Sequence, residues 1–204
     1  MKNIPYGNAN FQSIRDKNQL YIDRTQFIRT IEKMDIDRGL FIRPRRFGKS
    51  LWLNVMTHYY DIKQKDHFAN LFGDLDIGKD PTPQHNQYIV INWNFSRMSS
   101  RGTVDQIETN MNNTLNNMLE EHLSYYSDLL HGVKFNQEAI NTFSSFLAAA
   151  RKSGIKTYLL IDEYDNFANE VMMSESNVYY QLVQKDGPLK TLYKGIKEFL
   201  ERGL

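Results

Sequence analysis

Apolar residues recur along this chain at two spacings, one helical and one of strand type, and their alternation predicts the order of elements. After Ser50, the residues Leu51, Trp52, Val55, Met56 and Tyr59 form one stripe of a helix that ends near Asp61. Ile107, Met111, Leu115, Met118, Leu119 and Leu123 repeat the spacing behind Thr103 and Gln106, a reciprocal capping pair. The opposite face carries Asn110, Asn112, Asn113, Asn116 and Asn117. With the apolar period intact, that face reads as solvated. A further helix carries Ile140, Phe143, Phe146, Leu147 and Ala150, between Asn136 as a cap and Gly154 as a stop. A last one opens on Pro188 and carries Leu189, Leu192, Tyr193, Ile196 and Leu200 toward Leu204.

Strand-like runs lie between these helices. Gly39-Leu40-Phe41-Ile42 reads as a short buried strand leading into a basic turn. Tyr88 to Phe95 is apolar at first and then alternates. Thr157 to Ile161 shows no polar alternation, which suits a central parallel strand covered on both faces. Near the N-terminus Ile4, Tyr6, Phe11 and Ile14 are scattered anchors. Tyr21 to Gln26 resembles a helix start, with Asp23 as N-cap and Gln26 at the reciprocal position. Lys63 to Asp80 is a satellite segment carrying Phe68, Leu71, Phe72 and Leu75. Asn166 to Ser176 reads as a loop or short helix, and Asp186-Gly187-Pro188 as a break. The expectation is an α/β fold with a mainly parallel sheet, one domain over 1–204, with residues 1–38 as an extension packed on it.

Composition narrows the class. The chain has 204 residues, 41% hydrophobic and 24% charged, ordinary values for a globular domain. The net charge of +1 gives no global field for nucleic acid. With no cysteine, disulfides, thiolate metal sites and a Cys nucleophile are excluded, and the composition suits the cytoplasm. No run approaches membrane-spanning length, and residues 1–8 lack a signal-peptide core. His58, His67, His85, His122 and His131 show no metal-ligand spacing.

Two stretches carry chemistry. Gly48-Lys49-Ser50 ends a turn that also holds Arg43, Pro44, Arg45, Arg46 and Phe47, with Leu51 following. It matches the last positions of a phosphate-binding loop, in which N–H groups at a helix start cradle phosphates, Lys meets the β/γ oxygens and the hydroxyl ligates Mg²⁺. Arg43 occupies the place of that pattern's first glycine. Downstream, Ile161-Asp162-Glu163-Tyr164-Asp165 puts carboxylates at the end of the acidic strand, where ligands of parallel sheets bind. Asp162 and Ser50 are then the Mg²⁺ ligands, while Lys49 and Glu163 are the catalytic pair, Glu163 polarising an attacking water. Each has a plainer alternative. Ser50 caps a helix, Asp162 caps a turn, Glu163 is solvated, and Asp165 is either an outer acid or a loop acid. Arg45 and Arg46 either touch phosphate or pair with Asp162 or Asp165 in the free protein. Tyr6, Phe11 and Tyr21 are candidates for an adenine wall, against a core role.

With these stretches in place, the sequence resembles the predicted AAA-ATPase-like family. The resemblance rests on Ile4-Pro5-Tyr6-Gly7 with Phe11, on Tyr21-Ile22-Asp23-Arg24-Thr25, on Arg43 through Ser50, and on Ile161 through Asp165. It implies a P-loop NTPase with a three-layer sandwich, ATP and Mg²⁺ as cofactors, and a Glu beside the magnesium-binding Asp. It also implies that Arg43 belongs to the family's own version of the loop. Members continue past the equivalent of Leu204 into a sensor strand and usually a nuclease-like region. The expectation is therefore a sheet incomplete at the C-terminus, with that region, or a partner protein, as the moved element. A DNA-processing role has no support in this chain's charge. The rival is a nucleotide-gated scaffold with little turnover, which Arg43 and the lack of an arginine finger favour.

Overall fold

The computed structural model describes residues 2–34, 38–44, 46–164, 169, 182 and 187–201, with side chains through 199. Arg45, Asp165, the Asn166 to Ser176 segment (Asn169 excepted), Tyr179 to Lys185 (Leu182 excepted), Asp186, the Leu200 side chain and Leu204 lie outside these residues. The contacts gather into two compact units, Met1–Val90 and Ile91–Leu204.

The first unit contains helices α1 (Phe11–Asp16), α2 (Gln26–Lys33) and α3 (Lys49–Tyr60). A 3₁₀ turn (Ile62–His67), α4 (Phe68–Phe72) and α5 (Asp76–Lys79) follow. Val55, Met56 and Tyr59 of α3 are buried, on the stripe the periodicity predicts. Tyr59 joins a cluster of aromatic rings. Phe72 lies 5.1 Å from Phe11, 5.2 Å from Phe68 and 5.6 Å from Tyr59, centroid to centroid. Fully burying side chains of this size contributes roughly 1.5–3 kcal/mol each, so this cluster gives the satellite segment a reason to fold onto α3.

Strand β1 (Tyr88–Asn94) spans the boundary between the units. Ile89, Val90 and Ile91 are buried in succession and Trp93 is buried again after half-buried Asn92, the pattern of a strand covered first on two faces and then on one. In the second unit, a 3₁₀ turn (Phe95–Arg97), α6 (Val104–Tyr125), α7 (Ala139–Ser153) and strand β2 (Lys156–Asp162) lead to α8 (Pro188–Glu201). The β1–β2 pair is a parallel two-stranded sheet. The molecule is thus a mixed helix–strand protein of α/β type. Thr103 and Gln106 form the expected capping box, and Gly154 at φ +73° stops α7 in the left-handed conformation a side chain resists. The α6 stripe is buried at Ile107, Met111, Leu115, Met118 and Leu119.

Five expectations are corrected. Gly39 to Arg43 forms no strand. Leu40, Phe41 and Ile42 are 65%, 43% and 75% exposed, and this run pairs with no strand among the described residues. An apolar run becomes a strand only where a neighbour satisfies its N–H and C=O groups. The Arg43 guanidinium instead lies 5.4 Å over the Phe41 ring.

Strand β2 buries Leu160 and leaves the residues beside it half-buried, short of the full cover on both faces that its apolar run suggests. Asp23 is not the cap of α2, whose N-cap is Thr25 without a side-chain bond. One Asp23 oxygen accepts the N–H and hydroxyl of Thr25, and the other accepts the Asp76 N–H at 2.7 Å, at the start of α5. Burial alone would raise its pKa, but the N–H groups of Asp76 and Thr25 outweigh that and hold the carboxyl below its usual range.

Asn136 does not cap α7, which starts from Glu138 without a side-chain cap. The Ala139 N–H finds its acceptor across the bundle in Asn112 Oδ1 at 2.8 Å, while Asn116 Nδ2 donates to the Asn136 carbonyl at 2.8 Å. Two of the five asparagines read as solvated thus tie α6 to the start of α7.

Candidate functional site

The phosphate-loop residues belong to the first unit. The turn begins at exposed Arg43 and Pro44, and the Phe47 N–H donates to the Pro44 carbonyl at 3.4 Å. Arg46, at φ +67°, is left-handed and exposed; Phe47 is 58% exposed. Gly48, at φ +77°, is the N-cap of α3 and has no side chain to satisfy the helix start. A Cβ built there would meet nothing within 4 Å, so glycine is required by its backbone angle and the space before the helix is open. The first intrahelical bond is Trp52 N–H to Gly48 carbonyl at 2.9 Å. That leaves the N–H groups of Lys49, Ser50 and Leu51 without helical acceptors, at the positive end of a 12-residue helix. Lys49 and Ser50 are half-buried, and Lys49 makes no ion pair among the described residues. A helix start of this kind attracts an anion.

The acidic residues belong to the second unit. Strand β2 ends at half-buried Asp162. The chain then turns through Glu163 at φ +53°, and Tyr164 is 40% exposed. Asp162 Oδ1 accepts the Glu163 N–H at 3.0 Å. A left-handed Glu is a backbone outlier of the kind that concentrates at functional sites. The sequence reading did not anticipate it, and neither residue type announces it.

Among the adenine-wall candidates, Phe11 and Tyr21 pack edge to face at 5.2 Å; Phe11 is fully buried and belongs to the core, and Tyr21 is half-buried against it. Burial, the largest cause, also pushes the Tyr21 phenol pKa well up. Tyr6 is 99% exposed at a turn with Gly7 at φ +67°. Of the histidines, His122 is held by main chain on both sides. Its Nε2 accepts the Asn92 N–H at 2.9 Å, and its Nδ1 therefore donates to the Met118 carbonyl at 2.6 Å. No group of three His, Cys, Asp or Glu side chains that would hold a metal occurs among the described residues.

Magnesium takes oxygen donors and keeps water and phosphate oxygens in its shell, so it needs few protein ligands. The Ser50 hydroxyl and the Asp162 carboxylate are donors of that type, and Asp162 Oδ2 has no hydrogen bond among the described residues. These residue types fit the ion.

An uncapped helix start following a basic turn, together with an acidic end to a parallel strand, defines a class of α/β proteins that bind nucleotides. The chain belongs to the AAA-ATPase-like family, whose model, described as "Predicted AAA-ATPase", matches residues 5–204. Membership carries nucleotide binding with it. No curated protein and no solved structure gave a significant match. Among the described residues, no helix is long and apolar enough to cross a membrane.

Proposed function

We propose that this chain is an ATP-binding, magnesium-dependent NTPase module whose turnover moves an attached or partner domain in the cytoplasm. The observation that carries this reading is the start of α3, where a left-handed glycine beside open space leaves three N–H groups without helical acceptors, next to Lys49. The β/γ-phosphates lie against the N–H groups of Lys49, Ser50 and Leu51. The Lys49 ammonium neutralises their charge, and Arg43, Arg45 and Arg46 add to the field over the turn. Ser50 and Asp162 hold magnesium, which when bound offsets the charge of the transferring phosphoryl group. Glu163 accepts a hydrogen bond from the attacking water and orients it. In this reading the sheet is that of a P-loop three-layer sandwich, with more strands than the described pair.

A second reading, a nucleotide-gated scaffold with little turnover, is favoured by Arg43 at the loop's first position. Steady-state ATP hydrolysis by wild type and Glu163→Gln, with binding measured in parallel, tests both. Faster hydrolysis by wild type, by about tenfold or more, supports the enzyme. Equal rates with ATP still bound support the scaffold. Absence of ATP binding contradicts both.

A further inference from the structure

From Tyr88 to Ser100 the sole charged side chain is that of Arg97. It ends the 3₁₀ turn Phe95–Arg97, which starts where β1 stops. Asn94 fixes that turn, its Oδ1 accepting the Ser96 N–H at 2.9 Å and the Ser96 hydroxyl at 2.7 Å. Because β1 and β2 run parallel, the turn stands at the carboxyl edge of the pair, where β2 ends in Asp162, and it packs against β2. Ligands of open parallel sheets bind at that edge. The Arg97 guanidinium donates to both carboxylate oxygens of Glu121, at 2.8 and 3.0 Å. Glu121 lies near the end of α6, next to the His122 ring that accepts the Asn92 N–H of β1. The fork is well formed, yet it stands in solvent, with the two side chains 45% and 59% exposed. An ion pair so placed is worth at most about a fivefold preference, so Arg97 is held but easily released.

We propose that Arg97 is a further phosphate-binding cation of this chain, kept on Glu121 until a magnesium-bound triphosphate arrives at the Asp162 edge and then turned onto its oxygens. This rests on the nucleotide reading above. Neighbouring strands lie about 4.8 Å apart, so a guanidinium rooted just beyond the end of β1 spans the gap to the end of β2. The planar fork that fits a carboxylate fits phosphate oxygens equally well. A triphosphate carries more charge than Glu121 does, so the guanidinium gains by changing partner. Glu121 competes with the nucleotide for Arg97, and the two members of one ion pair therefore act on nucleotide affinity in opposite senses. Arg97 raises it, and Glu121 lowers it by the strength of the pair that must open.

The opposite signs are the test. The probe is a non-hydrolysable ATP analogue with magnesium, titrated into wild type, Arg97→Ala, Glu121→Gln and the double variant. Arg97→Ala binds it about tenfold more weakly, the loss expected for a charge-assisted phosphate contact. Glu121→Gln binds it more tightly, by up to about fivefold, because no ion pair has to open. The double variant binds as weakly as Arg97→Ala, since Glu121 acts only through Arg97. A brace that merely fastens the turn to α6 is lost in either single variant, so both would then shift affinity in the same direction. Melting temperatures of the free single variants agree, because each loses the same exposed pair. Single variants that both weaken binding, single variants that both leave it unchanged, or a double variant as tight as Glu121→Gln overturns the proposal and leaves nucleotide binding intact. Failure of wild type to bind the analogue removes the nucleotide reading itself, and this proposal with it, which is a separate outcome.

Discussion

Asn54 Oδ1 accepts the backbone N–H of Phe11 at 2.6 Å across 43 residues of sequence. Asn54 lies one turn into α3 beyond Ser50, and Phe11 is the first residue of α1 and fully buried. The bond satisfies a helix-start donor and fixes α3 against α1, so the helix that begins with Gly48 and Lys49 is anchored from the side. Asn54→Ala is expected to cost about 1–2 kcal/mol, the range for losing a helix-start acceptor. Asn54→Asp, which keeps an acceptor oxygen, recovers most of it. Urea unfolding of the three proteins checks this; equal midpoints for Ala and wild type contradict it.

In the second unit, Trp93 and Phe143 place their ring centroids 4.8 Å apart, and both are buried. Phe143 also meets Phe199 of α8 edge to face at 5.8 Å. Phe143→Ala should therefore destabilise the chain by about 3–5 kcal/mol, since truncation leaves a cavity among large rigid rings. Trp93 emission, isolated in a Trp52→Phe background, should shift to the red as water reaches the indole. A loss under about 1 kcal/mol with unchanged emission would show that this contact contributes little.

Acid should weaken the first unit through His58. Its side chain is 9% exposed, and burial is the main cause that pulls its pKa below the ordinary 6.5. Gln64, whose Oε1 lies 3.0 Å from Nδ1, and Asp61 oppose this only in part. With the folded value depressed, the unfolded chain binds more protons between the two values. The His58 contribution is thus complete above about 6.5, falls as pH drops through that value, and is gone below the folded pKa. Asp23 and Glu121, both held low, add losses of the same sign in the carboxylate range. Stability measured from pH 7.5 to 5 should fall more in wild type than in His58→Gln, and parallel curves would contradict the assignment.

The sequence made legible whatever depends on period and local chemistry. The α6 stripe, the Thr103–Gln106 box, Gly154 and both β1 and β2 stand where spacing and turn residues put them. It misread groups whose partners lie far along the chain. Asp23 looks like a cap until Asp76, 53 residues on, supplies the N–H it accepts. Asn112 looks solvated until Ala139 arrives. The run Leu40-Phe41-Ile42 has strand composition, but pairing is a property of a neighbour and not of the run. The phosphate loop and the acidic pair were visible as residue types. The left-handed turn at Glu163 was not, because no preference of that residue type announces it.

The central claim is that the N-terminus of α3 receives a nucleotide triphosphate with Lys49 as its counter-charge. Isothermal titration of Mg-ATP into wild type and Lys49→Ala tests it most directly. The account predicts saturable one-site binding by wild type and a loss of at least about tenfold in the variant, the effect expected on removing a charge-assisted phosphate contact. Equal affinity in the two proteins would contradict it.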